Sequence, residues 1–289
     1  MKFALAFANT GPYAAPEGAT AIGRAAEDAG FESVWTVEHV VVPKDYASPY
    51  PYAPGGKMPG GDDFDIPDPL IWLTWVGAHT TTLKLGTGIL ILPQRNPVVL
   101  AKEVATLDVM SGGRVLLGVG IGWLEEEFDV IGVPFADRAR RTEEYVEAMR
   151  ALWSQDLPTF AGETVNFTDA ISRPFPVDRR VPVFIGGHTP AAARRAGRIG
   201  DGFFPGKGDL PSLLDEMRRA ADEAGRDPAA IEVTWSGASL LGDGDPAEEV
   251  ERLAALGVTR LVLPPLTYNP TKIGDALAAF GENVIAKAP

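Results

Sequence analysis

The sequence predicts an α/β fold of the (β/α)8 TIM barrel class with two insertion segments. Short β-branched or apolar runs alternate with segments of helical periodicity, and eight such units follow one another along 289 residues. Alternating strands and helices predict a parallel sheet. Eight units in a chain of this length favour a closed barrel over an open doubly wound sheet. We therefore expect one barrel domain over residues 1–289.

The predicted strands are short apolar runs that end in glycine or polar loops. They are Lys2–Ala8, Ser33–Val37, Lys84–Ile91, Val115–Val119, Val183–Ile185, Gly202–Phe204, Ile231–Trp235 and Arg260–Leu263. The predicted helices are placed by their 3.6-residue periodicity, by prolines and capping residues at their starts and by glycines at their ends. They are Thr20–Ala29, Asp68–Thr82, Pro97–Met110, Arg138–Trp153, Pro190–Arg198, Leu210–Ala224, Pro246–Leu256 and Lys272–Phe280.

Two connections are longer than ordinary loops. Residues 40–67, after the second strand, contain six prolines, four glycines and three tyrosines. Long loops in compact domains are usually lids or disordered segments, and the tyrosines favour a lid over an apolar ligand. The second insertion, residues 155–182, precedes the fifth strand.

Composition excludes several classes of protein. The formal net charge of −13 argues against a nucleic-acid partner and against an anionic membrane surface. The chain has no cysteine, which excludes disulfides, thiolate metal sites and cysteine nucleophiles and fits a cytoplasmic location. We expect no membrane span, because no apolar run approaches about 18 residues.

The active site of such a barrel lies at the carboxyl ends of its strands. Those ends carry Asn9, Glu38 and His39, Thr87 and Gly88, Gly118 to Trp123, and Gly186 to Thr189. We expect the catalytic groups to be His39 and its neighbour Glu38. The three histidines are scattered through the chain, so we expect no metal site.

Two glycine-rich strand ends are candidate ligand sites. Gly186, Gly187, His188 and Thr189 precede a helix that starts at Pro190, an arrangement that suits a bound phosphate or an ordinary capped helix equally well. The alternate glycines of Gly118–Gly122 do not form a dinucleotide fingerprint. A flat ring lying against the backbone explains them better than a pyrophosphate. The acidic run Glu125–Glu127 is interpreted as structural, complementing a helix dipole.

Three stretches together resemble the luciferase-like monooxygenase superfamily. They are Thr87–Pro93 followed by Arg95-Asn96-Pro97, Gly118–Phe128 followed by Gly132–Phe135, and Gly186–Ala192 followed by Arg194-Arg195-Ala196. Within the superfamily the chain looks most like the coenzyme F420-dependent oxidoreductases. The resemblance implies a barrel with insertions, usually a homodimer, that binds FMN or the deazaflavin F420 at its mouth.

The resemblance also implies which residues hold the cofactor. Its phosphate would lie at Gly186, Gly187, His188 and Thr189, and its ring against Thr87, Gly88 and Gly118–Gly122. We add the neighbouring Asn9, Ile89, Gly120, Ile121 and Trp123 to the expected cofactor site. F420-binding relatives have a bulge with a non-prolyl cis peptide in the third strand, and the matching bond is Gly88–Ile89.

The chain departs from the F420-dependent sugar-phosphate dehydrogenases of this group. They have an Asp-His pair where this chain has Glu38-His39, and a catalytic glutamate where it has Trp123. Sugar-phosphate activity is therefore not carried over, and Trp123 either stacks on the substrate or packs within the protein. An anionic cofactor on an acidic protein also needs a basic rim, for which the loops offer Lys44, Lys57, Arg95 and Lys207.

The sequence favours an F420-dependent oxidoreductase that transfers a hydride to or from a small organic substrate. The alternatives are an FMNH2-dependent monooxygenase that uses O2, a non-catalytic flavin-binding paralogue, and a non-redox barrel such as a phosphosugar isomerase. The last would need paired acid and base groups at the strand ends, where only Glu38 is a candidate. The substrate itself is not identified by any motif.

Overall fold

Eight parallel strands close into a barrel in the computed structural model, which describes residues 1–288. The strands in chain order are β1 (Lys2–Leu5), β2 (Ser33–Thr36), β3 (Lys84–Thr87), β4 (Leu90–Ile91), β5 (Val115–Gly120), β6 (Phe160–Ala161), β7 (Asn166–Phe167), β8 (Val183–Gly186), β9 (Gly202–Phe204), β10 (Glu232–Ser236) and β11 (Arg260–Leu263). The barrel closes because β1 pairs with both β2 and β11. Strands β6 and β7 form a separate antiparallel hairpin within the second insertion.

Nine α-helices are present in residues 1–288. They are α1 (Pro16–Asp28), α2 (Pro69–His79), α3 (Pro97–Ser111), α4 (Glu125–Ile131), α5 (Arg138–Ser154), α6 (Pro190–Ile199), α7 (Leu210–Glu223), α8 (Pro246–Leu256) and α9 (Ile273–Asn283). Several start as the sequence predicts, with Asp68, Asn96 and Thr189 accepting hydrogen bonds from amides of the first turn. Helix α1 begins at Pro16, earlier than the predicted Thr20.

The predicted third strand, Lys84–Ile91, is interrupted at the position of the bulge that the family resemblance implied. It divides into β3 and β4, which pair with β5 at successive positions. The Gly88–Ile89 peptide between them is cis, as the family resemblance implied.

The barrel interior is filled around the fully buried Trp35 of β2. An ideal β-carbon built on Gly86 would lie 2.6 Å from the Trp35 ring, and one on Gly88 or Gly118 would lie 3.2 Å from Trp35 atoms. The rings of Phe184 and Phe204 meet the same indole edge-on, with centroids 5.3 and 5.4 Å away. Glycines on β3 and β5 therefore make room for one large side chain in the middle of the barrel.

The amino ends of the strands are closed by a buried ion pair. Arg260, 1% exposed, donates to both carboxylate oxygens of Glu32 at 2.9 Å and to the Thr234 hydroxyl at 3.1 Å. The opposite, carboxyl ends form the mouth at which the predicted site residues lie. No helix among residues 1–288 has the length and apolar character needed to cross a membrane.

Candidate active site

His39 and Glu127 form a pair at the mouth of the barrel. His39 follows β2, and Glu127 lies in the first turn of α4, after β5. His39 Nδ1 is 3.0 Å from Glu127 Oε2, and the Glu127 side chain is fully buried while that of His39 is 10% exposed. His39 is thus where the sequence placed it, but its partner is an acid that the sequence analysis treated as a helix-dipole complement.

Glu38 points away from His39 and belongs to a different network. Its carboxylate accepts hydrogen bonds from the guanidinium of Arg95 and from the backbone amide of Ile91. Arg95 also donates to Asp68 at 2.8 Å. Burial opposes the charge on Arg95, but the two carboxylates raise the pKa of its guanidinium above the ordinary value. Glu38 therefore ties the end of β2 to β4 and to the loop that leads into α3.

Two predicted cofactor-binding side chains are occupied by the protein backbone. Asn9 is fully buried, and its side-chain amide bonds both the N–H and the C=O of Val37 at 2.9 Å. The Thr87 hydroxyl, also buried, donates to the carbonyl of Gly118 at 2.7 Å. These side chains position the strand ends and are not exposed at the mouth.

The glycines after β5 have a packing role that the sequence analysis did not anticipate. An ideal β-carbon on Gly120 would lie 2.6 Å from Ile89 Cδ1, and one on Gly122 would lie 2.7 Å from the Phe128 ring. A β-carbon on Gly118 would collide with the Thr87 carbonyl oxygen. The interpretation that a flat ring explains these glycines is therefore unnecessary, since protein atoms already fill the space beside them.

A row of aromatic rings crosses the mouth and includes two tyrosines of the lid, residues 40–67. Trp123 meets His39 edge-on at 5.6 Å between centroids and meets Tyr50 at 5.2 Å. Tyr50 meets Tyr52 at 5.5 Å, and Tyr52 meets His188 at 5.1 Å. Trp123 thus contacts both His39 and a lid tyrosine, and the lid tyrosines link the strand end that carries His39 to the one that carries His188.

The lid has no helix or strand of its own, but its near end is attached to α4. Glu127 Oε1 accepts hydrogen bonds from the amides of Val40 at 2.6 Å and Val41 at 3.3 Å. Glu126 Oε1 accepts from the amides of Ala47 at 2.6 Å and Ser48 at 3.0 Å. Burial raises the pKa of Glu126, but these bonds and one from the Ser48 side chain outweigh it and lower the pKa to about 2.

The Gly186–Thr189 turn joins β8 to α6. Thr189 caps the helix by accepting from the Ala192 amide at 3.2 Å, and Gly187 has a φ of +121°. His188 Nδ1 is buried and has no hydrogen-bond partner among the described residues. Burial, with the nearby charge of Lys207, lowers the pKa of His188 below its ordinary value. The turn therefore presents a neutral imidazole with an unused ring nitrogen.

The predicted basic rim is largely engaged within the protein. Arg95 is held by Glu38 and Asp68, Lys57 donates to the Tyr46 carbonyl, and Lys207 donates to the Pro51 carbonyl. Lys44 is exposed. Two of the four cations thus fasten the lid, and Arg95 is held in an ion-pair network.

Comparison with known proteins decides the family. The family model described as luciferase-like monooxygenase matches residues 1–279. The chain belongs to this family. The match confirms the superfamily resemblance drawn from the three sequence stretches, and with its relatives it makes the chain an oxidoreductase.

Curated relatives of this luciferase-like chain cover most of its length. An uncharacterised protein of Mycobacterium tuberculosis is 36% identical over 279 residues, covering 92% of this chain and 94% of the relative. An F420-dependent glucose-6-phosphate dehydrogenase of Kineococcus radiotolerans is 35% identical over 235 residues, covering 78% of this chain and 64% of the relative.

Solved structures share the fold of this luciferase-like chain. An F420-dependent secondary alcohol dehydrogenase in complex with an F420-acetone adduct superposes with a TM-score of 0.77 at 23% identity, covering 100% of this chain and 99% of the other. The similar structures include both F420-dependent enzymes and monooxygenases. They support the barrel fold.

The structure brings together His39, Trp123, Ile89, Gly120 and the Gly186–Thr189 turn, and it adds three groups that sequence reasoning missed. These are Glu127 as the partner of His39, Glu126 as a lid anchor and the edge-on contact of Tyr52 with the His188 ring. The only available signal for the two acids was an acidic run next to the glycines of β5, which also fits an ordinary helix start.

Proposed function

We propose that this chain is an F420-dependent oxidoreductase that transfers a hydride between the deazaflavin and a small organic substrate. One arrangement carries the proposal: two imidazoles stand at opposite ends of the aromatic row, each with an unused ring nitrogen. His39 is positioned to exchange a proton, and His188 to contact a bound group at the helix start. The curated F420-dependent relatives support this choice of cofactor.

The residues at the mouth fit the proposed cofactor at two places. His188 and Thr189 offer backbone amides, a neutral imidazole and a hydroxyl at the amino end of α6, which suits a phosphate, whereas the Gly187 amide already donates to the Phe204 carbonyl. Gly88, Ile89, Ile121 and Trp123, each partly exposed, would flank the ring, whereas Ile89 takes the space beside the buried Gly120. We do not retain Asn9 and Thr87 as side-chain ligands, because backbone groups already use their polar atoms.

When bound, F420 supplies the acceptor or donor of the hydride. The protein must then manage the accompanying proton and exclude water. Oxidation of an alcohol carbon to a carbonyl releases a hydroxyl proton, which the free Nε2 of His39 can accept. In the opposite direction the protonated ring can donate to the carbonyl oxygen. The lid, attached at both α4 and the β9 loop, limits access of water to this proton exchange.

Glu38 enters the proposal as a positioning residue and not as a second proton carrier. Its carboxylate is buried and used by Arg95 and the Ile91 amide. Ile91 belongs to β4, the strand that begins right after Ile89. The bond from Ile91 to Glu38 therefore fixes the backbone next to the proposed ring site. His39 remains the single proton-exchanging group that we propose.

Cofactor titration tests the proposal. The purified protein is titrated with F420 and with FMN, each oxidised and reduced, while tryptophan fluorescence is followed. We expect quenching by F420, because Trp123 lies at the proposed ring site. Tight binding of FMN with no binding of F420 would overturn the F420 proposal in favour of the FMNH2-dependent monooxygenase. Binding without turnover of any alcohol, aldehyde or ketone in a broad panel would favour the non-catalytic paralogue.

We also propose that the protein is a cytoplasmic homodimer, formed through α2 and α3. These helices pack against each other yet keep apolar side chains in solvent: Ile71 is 74% exposed, Trp75 44% and Val99 54%. We infer that these side chains form one apolar face, and such faces typically mark protein interfaces. A second copy is the partner that the family resemblance implies.

A further inference from the structure

Glu127 joins the candidate catalytic histidine to the start of the lid. One carboxylate oxygen faces His39 Nδ1 at 3.0 Å, and the other accepts from the amides of Val40 and Val41. His39 and the two amides are consecutive in the chain, so a single buried carboxylate fixes both the ring and the backbone that follows it. No other polar group of residues 1–288 bonds the His39 ring.

The contact determines which ring nitrogen carries the proton. A carboxylate accepts hydrogen bonds and cannot donate them, so Nδ1 must be the donor. In the neutral ring, Nε2 is then the acceptor. The opposite tautomer would place two lone pairs against each other and leave Nε2 unable to take a proton. Glu127 thus selects the ring form that can act as a base.

We propose that Glu127 is a positioning residue that fixes the tautomer of His39 and anchors the lid through the same carboxylate. His39 is therefore held in its basic form by the same group that attaches the start of the lid. This inference rests on the proposed role of His39 in proton exchange. Glu127 touches neither the substrate nor the cofactor in this scheme and acts through His39 alone.

The neighbouring residue Glu126 provides a matched control. It lies in the same helical turn and anchors the lid farther along, at Ala47 and Ser48, but it has no contact with His39. Glu126→Ala therefore loosens the lid without affecting the ring. Glu127→Gln keeps an oxygen for the Val40 and Val41 amides but turns an NH2 group towards Nδ1. Glu127→Ala removes both functions.

The tautomer can be measured directly because the chain has only three histidines. Two-bond ¹H–¹⁵N correlation spectra of histidine-labelled protein distinguish protonated from unprotonated ring nitrogens, and His39→Asn assigns the signal. We expect the Nδ1–H form in the wild type and in Glu126→Ala, and the Nε2–H form in Glu127→Gln. Hydrogen exchange should quicken at Val40 and Val41 in Glu127→Ala and at Ala47 and Ser48 in Glu126→Ala.

Turnover provides the second measurement. We expect Glu127→Gln to lower kcat by roughly 10²-fold or more, the usual contribution of a positioned acid or base, with little change in KM for the cofactor. Glu126→Ala should change kcat far less. An unchanged His39 tautomer in Glu127→Gln would overturn the inference, as would equal losses of kcat in the two variants. The spectra need no substrate, so they test the inference separately from the proposed function. If Glu127→Gln changes the tautomer but the protein does not turn over F420, the proposed function is refuted and the role of Glu127 in fixing the tautomer stands.

Discussion

The ring of Tyr52 fills the space that a β-carbon on Gly206 would need. An ideal Cβ built at that glycine lies 2.5 Å from Tyr52 Cε1. The backbone of Gly206 does not have a positive φ, so the glycine is not required by conformation. The absence of a side chain at Gly206 instead makes room for Tyr52, which places the middle of the lid against the loop after β9. Residues of the lid and of the loop after β9 thus fit each other and hold the lid over the mouth.

Gly206→Ala should release the middle of the lid from the loop after β9. The added methyl group would displace the Tyr52 ring, and we expect faster proteolysis and faster amide exchange between residues 50 and 57, with little change in the unfolding midpoint. Gly55→Ala is the control, because a β-carbon there meets nothing within 4 Å. The double variant Gly206→Ala/Tyr52→Ala should show no faster proteolysis or amide exchange than either single variant. Strictly additive effects of the two substitutions would contradict a shared contact.

Gly120→Ala should destabilise the barrel through its collision with Ile89. Overpacking of this kind costs about 1–3 kcal/mol of unfolding free energy, measured by urea denaturation. Ile89→Ala removes the colliding atoms, so the double variant should lose less than the sum of the two single losses. Gly244→Ala, at a position with open space, is the matched control. A loss at Gly120 that Ile89→Ala fails to relieve would refute this packing role.

Glu38→Gln should act mainly on stability. The substitution breaks a buried pair and leaves Arg95 with only the partly exposed Asp68, a change that typically costs about 3–5 kcal/mol. We expect Arg95→Met to cost a similar amount and the double variant to recover part of the loss, as measured by chemical unfolding. A Glu38→Gln protein of wild-type stability with abolished turnover would restore Glu38 as a catalytic group.

The contribution of Glu27 to stability should depend on pH. Burial raises the pKa of Glu27, but hydrogen bonds from the amides of Thr81, Thr82 and Leu83 and from the Thr82 hydroxyl outweigh it and lower the pKa from 4.5 to about 2. Because the folded-state pKa lies below the unfolded value, the stabilisation is complete above pH 4.5 and is lost as the pH falls towards 2.

Glu27→Gln should therefore be less stable than the wild type by about 1.5 kcal/mol near neutral pH. The difference should shrink as the pH falls below about 4.5, as measured by urea unfolding at several pH values. Asp28→Asn, at the exposed neighbouring position, is the matched control, because Asp28 takes no part in the hydrogen bonds from residues 81–83. A difference between wild type and Glu27→Gln that stays constant down to pH 3 would contradict the assignment.

Charges on the exposed face of α2 and α3 should prevent dimerisation. Ile71→Asp or Val99→Asp would place a carboxylate in an apolar interface, and we expect a shift from dimer to monomer in sedimentation velocity. Val130→Asp, on α4 and 64% exposed, is the control and should leave the assembly unchanged. A wild-type protein that sediments as a monomer, or variants that remain dimeric, would exclude this interface.

Sequence patterns were sufficient to predict the barrel, its caps and the strand ends that face the mouth. These features depend on local periodicity and on residues such as Asp68, Asn96 and Thr189, which bond to amides within the next few positions. The resemblance also placed the cis bond at Gly88–Ile89 correctly. The break between β3 and β4 lies at the bulge that the resemblance implied, whereas the apolar run by itself carries no signal of where pairing is interrupted.

The sequence alone thus determined the fold class, the oxidoreductase family and the location of His39 and His188 at strand ends. Only the tertiary structure decided which partners these residues have. His39 and Glu127 are 88 positions apart, and nothing local to either residue indicates the other. Likewise, the glycines of β5 could equally have faced a ligand or a side chain. Closure of the barrel settled these choices, because it brings distant strand ends within hydrogen-bonding distance and fills the space beside each glycine.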